Sequence, residues 1–127
     1  MTQPTEARSQ TLNELRDAVG AWCERKGWRD DVRSERPNSP GDLLMLAVTE
    51  LSEALEEVRD HRGLNEVCYA TDKQGDQKPE GVPIELADAI IRIADMADRW
   101  GIDLDAAVTE KMAYNERRSY RHDGRSI

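Results

Sequence analysis

Residues 43–62 read LLMLAVTELSEALEEVRDHR, and their apolar side chains recur every three or four positions. This spacing predicts an amphipathic α-helix. Ser39 followed by Pro40 predicts where it begins, because serine caps a helix and proline fits its first turn. Gly63 predicts its end. We expect the broad apolar face of this helix to form the core; it comprises Leu43, Leu44, Ala47, Val48, Leu51, Ala54, Leu55 and Val58.

Three carboxylates lie together on one flank of this predicted helix. Glu50, Glu53 and Glu57 follow one another at helical spacing, beside the apolar face and not opposite it. Glu56 points further out, toward water. The flank therefore places acidic groups at the edge of the core.

Three further helices are predicted around the first. One runs from a cap at residue 9 or 11 to about 27, one from about 83 to 100, and one from a cap at 103 or 105 to about 120. Residues 63–82 show no periodicity and predict a long connection, and no strand pattern competes with the helices. The predicted fold class is all-α, a four-helix bundle.

The chain has 127 residues, which predicts a single domain over 1–127 with flexible ends at 1–8 and 121–127. Apolar residues make up 38% of it and aromatic residues 5%, without any Phe, so the core of one copy is thin. Helices whose apolar surface is not covered within one copy can bury it by pairing with a second copy. We therefore expect a homodimer or a homotetramer that completes the bundle.

The formal net charge of −8 argues against a nucleic acid polymer as partner, because phosphate backbones are bound by basic surfaces. No segment approaches the length of a membrane span. Cys23 and Cys68 are too few for a disulfide framework, and residues 1–10 lack the apolar run of a signal peptide. We expect a cytoplasmic protein that binds neither nucleic acid nor membranes.

A second acidic stripe lies on the predicted helix 83–100, whose polar side is narrow. Glu85 and Asp88 are three residues apart there, as Glu50 and Glu53 are on the first acidic helix. If the stripes face one another, four carboxylates meet, and they stay ionised only with cations among them. Mg²⁺ or Mn²⁺ accepts such oxygen ligands.

An ordinary solvated surface is the alternative interpretation of the same residues. Asp88 with Arg92, and Asp95 with Arg99, are four residues apart and predict ion pairs along one helix. Periodicity alone does not choose between a metal site and a salt-bridged face.

Three segments together resemble one known family, the MazG-like all-α nucleoside triphosphate pyrophosphohydrolases, which include dimeric dUTPases and dCTP pyrophosphatases. The segments are LLMLAVTELSEALEE (43–57), ELADAIIRIADMADRWGIDL (85–104) and AVTEKMAYNERRSY (107–120). The last is most similar to the dCTP pyrophosphatase branch. Two positions depart from the family pattern: Thr49 stands where many members have Glu, and Arg92 where that branch has an aromatic residue.

The resemblance implies hydrolysis of a nucleoside triphosphate to a monophosphate and pyrophosphate. It implies that Mg²⁺, with Mn²⁺ as a substitute, is held by Glu50, Glu53, Glu85 and Asp88. It also implies that the substrate phosphate or sugar is contacted by Lys111, Asn115 and Arg118.

The residue chemistry is compatible with this activity. A carboxylate near the bound ion can orient or deprotonate the attacking water, and we predict Glu53, with Glu50 beside it, as the catalytic residues. Trp28 is a candidate for stacking on a base, although packing in the core or at an interface is the more common role for any one Trp. Two alternatives stay open: an enzyme similar to phosphoribosyl-ATP pyrophosphohydrolase, and a helical interaction module without catalysis.

Overall fold

The computed structural model describes residues 10–29 and 38–118 and is mostly helical. Its four helices and two strands follow the order α1 (Leu12–Arg25), α2 (Pro40–Arg59), β1 (Cys68–Thr71), β2 (Gln77–Glu80), α3 (Val82–Trp100) and α4 (Leu104–Arg117). The helical fold class is thereby confirmed. The expected flexible ends, 1–8 and 121–127, lie outside the described residues, as do the predicted cap at 9 and helix end at 120.

The start and end of α1 follow from local hydrogen bonds. Thr11 caps it, and the Thr11 and Glu14 side chains form a reciprocal capping box. Gly27 has a φ of 65°, and the Trp28 N–H returns to the Cys23 carbonyl at 3.1 Å. This left-handed ending is the Schellman motif, which glycine favours. It turns the chain so that Trp28 comes back toward α1.

Helix α2 begins as predicted and ends earlier than predicted. The Ser39 hydroxyl accepts the Asp42 N–H at 3.2 Å, and Pro40 occupies the first turn. The end lies four residues before Gly63, because His61 adopts a φ of 62° and closes its own Schellman motif. In that motif the Arg62 N–H donates to the Glu57 carbonyl at 3.2 Å.

The segment predicted as an unstructured connection contains an antiparallel hairpin, so the absence of strands was wrong. Cys68 lies opposite Glu80 and Thr71 opposite Gln77. The turn is closed by Asp72, whose carboxylate accepts two backbone N–H groups at 2.9 Å each. The strands are short and mostly exposed, which removes the alternating pattern that identifies a strand from sequence.

A single glycine joins the hairpin to α3. Gly81 has a φ of 126°, and a Cβ at this position would lie 2.3 Å from the Glu66 carbonyl oxygen. Only glycine combines this conformation with so close a backbone approach. Gly81 therefore sets where α3 starts, and with it the position of the acidic residues in its first turn.

Helix α3 is central, since it packs against both α2 and α1, while α4 contacts α1. The core between α1 and α3 is small and consists of Val19, Cys23 and Ala94, covered by Leu15, Trp22 and Ile91. None of the described helices is long and apolar enough to cross a membrane.

The apolar face predicted to form the core of α2 is only partly buried. Leu43 and Ala54 are buried, whereas Leu51 is 52% exposed. Helix α3 packs along the flank that carries Leu43, Glu50 and Ala54, so the rest of the apolar face points outward. Its exposed members are Leu44, Val48, Leu51, Leu55 and Val58, and α3 likewise exposes Leu86, Ile90 and Ile93.

Candidate functional site

Three of the four predicted metal ligands meet between α2 and α3. Glu50, Glu53 and Glu85 each offer a carboxylate oxygen within 4.8 Å of the other two. Glu50 is 7% exposed and is the buried member, while Glu53 is exposed. We call these three residues the carboxylate cluster. Packing of α3 on the acidic flank of α2 creates it, as the facing stripes predict.

Glu85 is the member of the carboxylate cluster whose pKa is raised. Its Oε2 atom is buried and has no hydrogen-bond partner within residues 10–29 and 38–118. Burial raises its pKa to about 7, and the neighbouring carboxyls of Glu53, Asp88 and Glu50 add to the rise. Glu85 lies in the first turn of α3, where the helix dipole favours a carboxylate by about 0.3–1 kcal/mol. Burial and like charge outweigh that effect.

Asp88, the fourth predicted ligand, lies beside the carboxylate cluster and is not one of its three members. Burial, followed by the charge of Glu50, raises its pKa. The positive charges of Arg92 and Lys78 act in the opposite direction. Lys78 lies on β2, so the hairpin that sequence reasoning missed brings a base toward the acidic site.

Arg92 forms an ion pair with the buried member of the cluster. Its Nε donates to Glu50 Oε1 at 3.0 Å, and the two side chains are 42% and 10% exposed. The spacing predicted a pair with Asp88 on the same helix, but the guanidinium reaches across to α2 instead. A buried carboxylate gains more from a partner than one that water already solvates.

A cleft of about 430 Å³ opens next to the cluster, between α1, α2 and α3. Glu50, Asp88 and Arg92 form part of its wall. The remaining lining is largely apolar and aromatic and consists of Trp22, Cys23, Trp28, Asn38, Leu43, Leu46, Ile91, Asp95 and Arg99. Such a combination, an apolar surface with a few polar groups, is typical of small-molecule sites.

Trp28 lines this cleft as a predicted substrate-binding residue. Its ring packs edge to face on Trp22, with centroids 4.5 Å apart and planes at 74°, yet the residue remains 58% exposed. The Schellman ending of α1 places it there. Packing and availability to a ligand are therefore compatible for this side chain.

A network of ion pairs holds the far wall of the cleft. Arg29 donates to Asp95 at 2.6 Å and lies 2.9 Å from Asp98, and Arg99 pairs with Asp95 at 2.9 Å. The Asp95–Arg99 pair is the predicted one. Arg29 was missed, and its signal is the helix end at Gly27, which turns the following residues back over α3.

The three predicted substrate contacts near the end of the chain do not line this cleft. Lys111 and Asn115 lie on α4, which has no buried residue, Arg118 directly follows that helix, and all three are exposed. Lys111 Nζ and the Arg118 guanidinium lie 4.8 and 5.9 Å from the Tyr114 ring centroid. Their roles toward substrate stay predictions.

The donor set fits a hard divalent cation. Three carboxylates from two helices supply oxygen ligands only, which Mg²⁺ and Mn²⁺ prefer. Arg92 supplies a positive charge to Glu50, whereas the buried Glu85 Oε2 atom has no hydrogen-bond partner among the described residues, so a cation would find a free ligand oxygen there. Comparison of the chain with protein-family models, curated proteins and solved structures finds no match.

Proposed function

We propose that this protein is a cytoplasmic, Mg²⁺-dependent pyrophosphohydrolase that converts a nucleoside or deoxynucleoside triphosphate to its monophosphate and pyrophosphate. The observation that carries the proposal is the carboxylate cluster, three convergent carboxylate oxygens within 4.8 Å beside an open cleft. The sequence resemblance to MazG-like enzymes supports the type of reaction. Removal of excess or damaged nucleotides is the role that such an activity serves.

Glu50, Glu53 and Glu85 are the proposed ligands of the ion, with Asp88 beside them. Bound Mg²⁺ neutralises phosphate charge and polarises the phosphoryl oxygen, so that a triphosphate approaches an acidic protein. Mn²⁺ is the expected substitute.

Glu53 is the proposed general base, because it is the exposed member of the cluster and water reaches it. It takes the proton of the attacking water as that oxygen bonds to the α-phosphorus and the bond to the β-phosphate oxygen breaks. Glu50 lies on the buried side of the carboxylate cluster, where it keeps its position, and it is the second proposed catalytic residue.

The cleft is the proposed binding place of the nucleoside. Trp28 offers an exposed ring face on which a base stacks, and Asn38 offers hydrogen-bonding groups. Lys111, Asn115 and Arg118 remain proposed contacts to phosphate or sugar.

A homodimer or homotetramer is the proposed assembly. Apolar side chains predicted to be buried are about half exposed on one copy, for example Leu44 at 52% and Leu55 at 49%. A second copy that covers this surface removes it from water.

The direct test incubates the protein with Mg²⁺ and each common NTP and dNTP and identifies products by chromatography. Wild type is expected to release monophosphate and pyrophosphate, and Glu53→Gln to lose at least about a hundredfold in rate, a loss typical of general-base removal. Glu56→Gln is the matched control, because Glu56 is exposed on the same helix and pairs with Arg59. It is expected to retain activity.

The other outcomes point to different functions. Diphosphate plus phosphate means a different hydrolase. No turnover of any nucleotide favours the phosphoribosyl-ATP pyrophosphohydrolase-like enzyme, which is tested next with that substrate. No turnover together with no Mg²⁺-dependent thermal stabilisation favours a helical module without catalysis.

A further inference from the structure

Arg92 has an unusual position, because its only ion-pair partner among the described residues is a proposed metal ligand. Its Nε donates to Glu50 at 3.0 Å, while its Nη groups make no hydrogen bond within residues 10–29 and 38–118. Arg29, in contrast, uses both Nε and Nη2 on Asp95. The guanidinium of Arg92 thus retains unused donors where it lines the cleft.

Arg92 and a divalent cation compete for the same carboxylate. Glu50 is nearly buried and has few alternatives to a positively charged neighbour, so Arg92 supplies that charge. A cation bound by the carboxylate cluster supplies it instead. The attraction between Arg92 and Glu50 then falls, and repulsion from the ion adds to the effect.

Once Glu50 no longer holds it, the Arg92 side chain can turn into the cleft. Arg92 is 42% exposed and forms part of the cleft wall. Arginine presents a planar fork that matches phosphate oxygens. An anionic ligand that enters the cleft beside the bound ion therefore meets a free guanidinium.

We propose that Arg92 is a metal-released anchor for phosphate: it neutralises Glu50 while the cluster is empty, and it binds a phosphate group of the ligand once a divalent cation has taken Glu50. The inference rests on the metal site of the proposed function. It adds Arg92 to the proposed phosphate site. It also adds an order of events, in which the cation binds first and thereby completes the phosphate site.

The test measures binding only. Mn²⁺ affinity is determined by electron paramagnetic resonance without any anion, and inorganic tripolyphosphate affinity by calorimetry at saturating Mn²⁺. Arg92→Gln is expected to bind Mn²⁺ about fivefold more tightly than wild type, because a partly exposed ion pair no longer competes. The same variant is expected to bind tripolyphosphate about tenfold more weakly, because a charge-assisted fork is lost.

Two variants keep the comparison decisive. Arg59→Gln makes the same charge change on an exposed pair of α2 and is expected to leave both affinities unchanged. Arg92→Lys retains the charge without the fork and serves if Arg92→Gln fails to fold, as judged by circular dichroism. It is expected to weaken tripolyphosphate binding while Mn²⁺ still binds.

The failures are distinguishable. If wild type binds no Mn²⁺, the proposed metal site is wrong and the anchor role falls with it. If wild type binds Mn²⁺ and Arg92→Gln, when folded, has the same two affinities, only the anchor role is overturned. If Arg92→Gln does not fold, an Arg92→Lys variant with wild-type tripolyphosphate affinity overturns it.

Discussion

Asn13 and Asp105 each cap the helix on which the other lies. The Asp105 carboxylate accepts the backbone N–H groups of Leu12 and Asn13 at 3.0 and 3.2 Å, and the Asn13 side-chain oxygen accepts those of Leu104 and Asp105 at 2.9 and 3.4 Å. The first N–H groups of a helix have no partner within it. Two helix starts therefore satisfy one another, and α4, which has no buried residue, is held on α1 by polar contacts.

Substitution of Asp105 by Ala is expected to loosen α4. Because the Asp105 carboxylate accepts two N–H groups at the start of α1, its loss is expected to lower the free energy of unfolding by about 1–2 kcal/mol and to remove one side of the contact between α1 and α4. Urea unfolding measures this loss, and hydrogen exchange is expected to rise over Leu104–Arg117. Asp105→Asn is the control, since it keeps one acceptor. Unchanged exchange in Asp105→Ala would show that other contacts anchor α4.

Glu85 predicts an unusual dependence of stability on pH. Its pKa is about 7 in the folded protein against an ordinary 4.5, so between these values the folded state binds more protons than the unfolded state. Stability from this group is present below pH 4.5 and is lost as pH rises through 7. Urea unfolding of wild type and Glu85→Gln from pH 4 to 8 gives the difference that isolates it.

Divalent cations are expected to reverse that trend. An ion bound to the ionised cluster stabilises the folded state most where Glu85 has lost its proton, so Mg²⁺ should raise the melting temperature more at pH 8 than at pH 5. In Glu85→Gln this pH dependence is expected to shrink. An equal shift at both pH values would place the ion elsewhere.

Gly20 is expected not to tolerate a side chain. A Cβ there would lie 2.1 Å from a carboxylate oxygen of Asp98, and Asp98 is held by Arg29 at 2.9 Å. Gly20→Ala must displace that carboxylate, and overpacking of this kind costs about 1–3 kcal/mol. Thermal unfolding measures the loss. Gly20→Ala in an Asp98→Ala background is expected to cost less, and equal costs in both backgrounds would contradict the clash.

Trp28 should report on ligand entry into the cleft. The residue is 58% exposed and lines the cleft, so a base that stacks on it is expected to quench its fluorescence. Titration with a nonhydrolysable nucleotide and Mg²⁺ checks this. Trp28→Phe is expected to lose most of the signal and Trp100→Phe to keep it. Quenching that persists in Trp28→Phe would assign the response to another Trp.

The exposed apolar face of α2 predicts the effect of a charge placed on it. Leu51→Glu is expected to separate the assembly into single chains of 14.4 kDa, because a buried unpaired charge opposes association. Light scattering after size-exclusion chromatography gives the mass. Ser52→Glu, on a more polar side of the same helix, is the control. A wild-type mass of 14.4 kDa would refute the proposed oligomer.

Helix positions were predictable because their signals are local. Ser39 with Pro40 marks the start of α2, and Gly101, in a left-handed conformation with a φ of 64°, marks the end of α3. The meeting of Glu50 with Glu85 also follows from sequence, since two acidic stripes at helical spacing face one another once the helices pack.

Other features depend on contacts that no local pattern carries. The apolar stripe through Leu51 was predicted to be buried within the chain, but hydrophobic periodicity does not tell burial in one copy from burial between copies. The partner of Arg92 was missed because i,i+4 spacing offers Asp88, whereas a buried carboxylate across the helix pair attracts the guanidinium more strongly. Strands β1 and β2 were missed because both of their faces are mostly exposed.

The hairpin between α2 and α3 closes on itself, with Cys68 paired to Glu80 at its base. The chain therefore leaves the domain after α2 and returns to it before α3 at neighbouring points, however many residues the hairpin contains. Insertions or deletions at the tip, residues 72–76, change the reach of the hairpin and not the separation of Glu50 from Glu85. Changes in the length of the hairpin therefore leave the carboxylate cluster unaffected. The tip is a suitable place to insert an epitope or attach a dye.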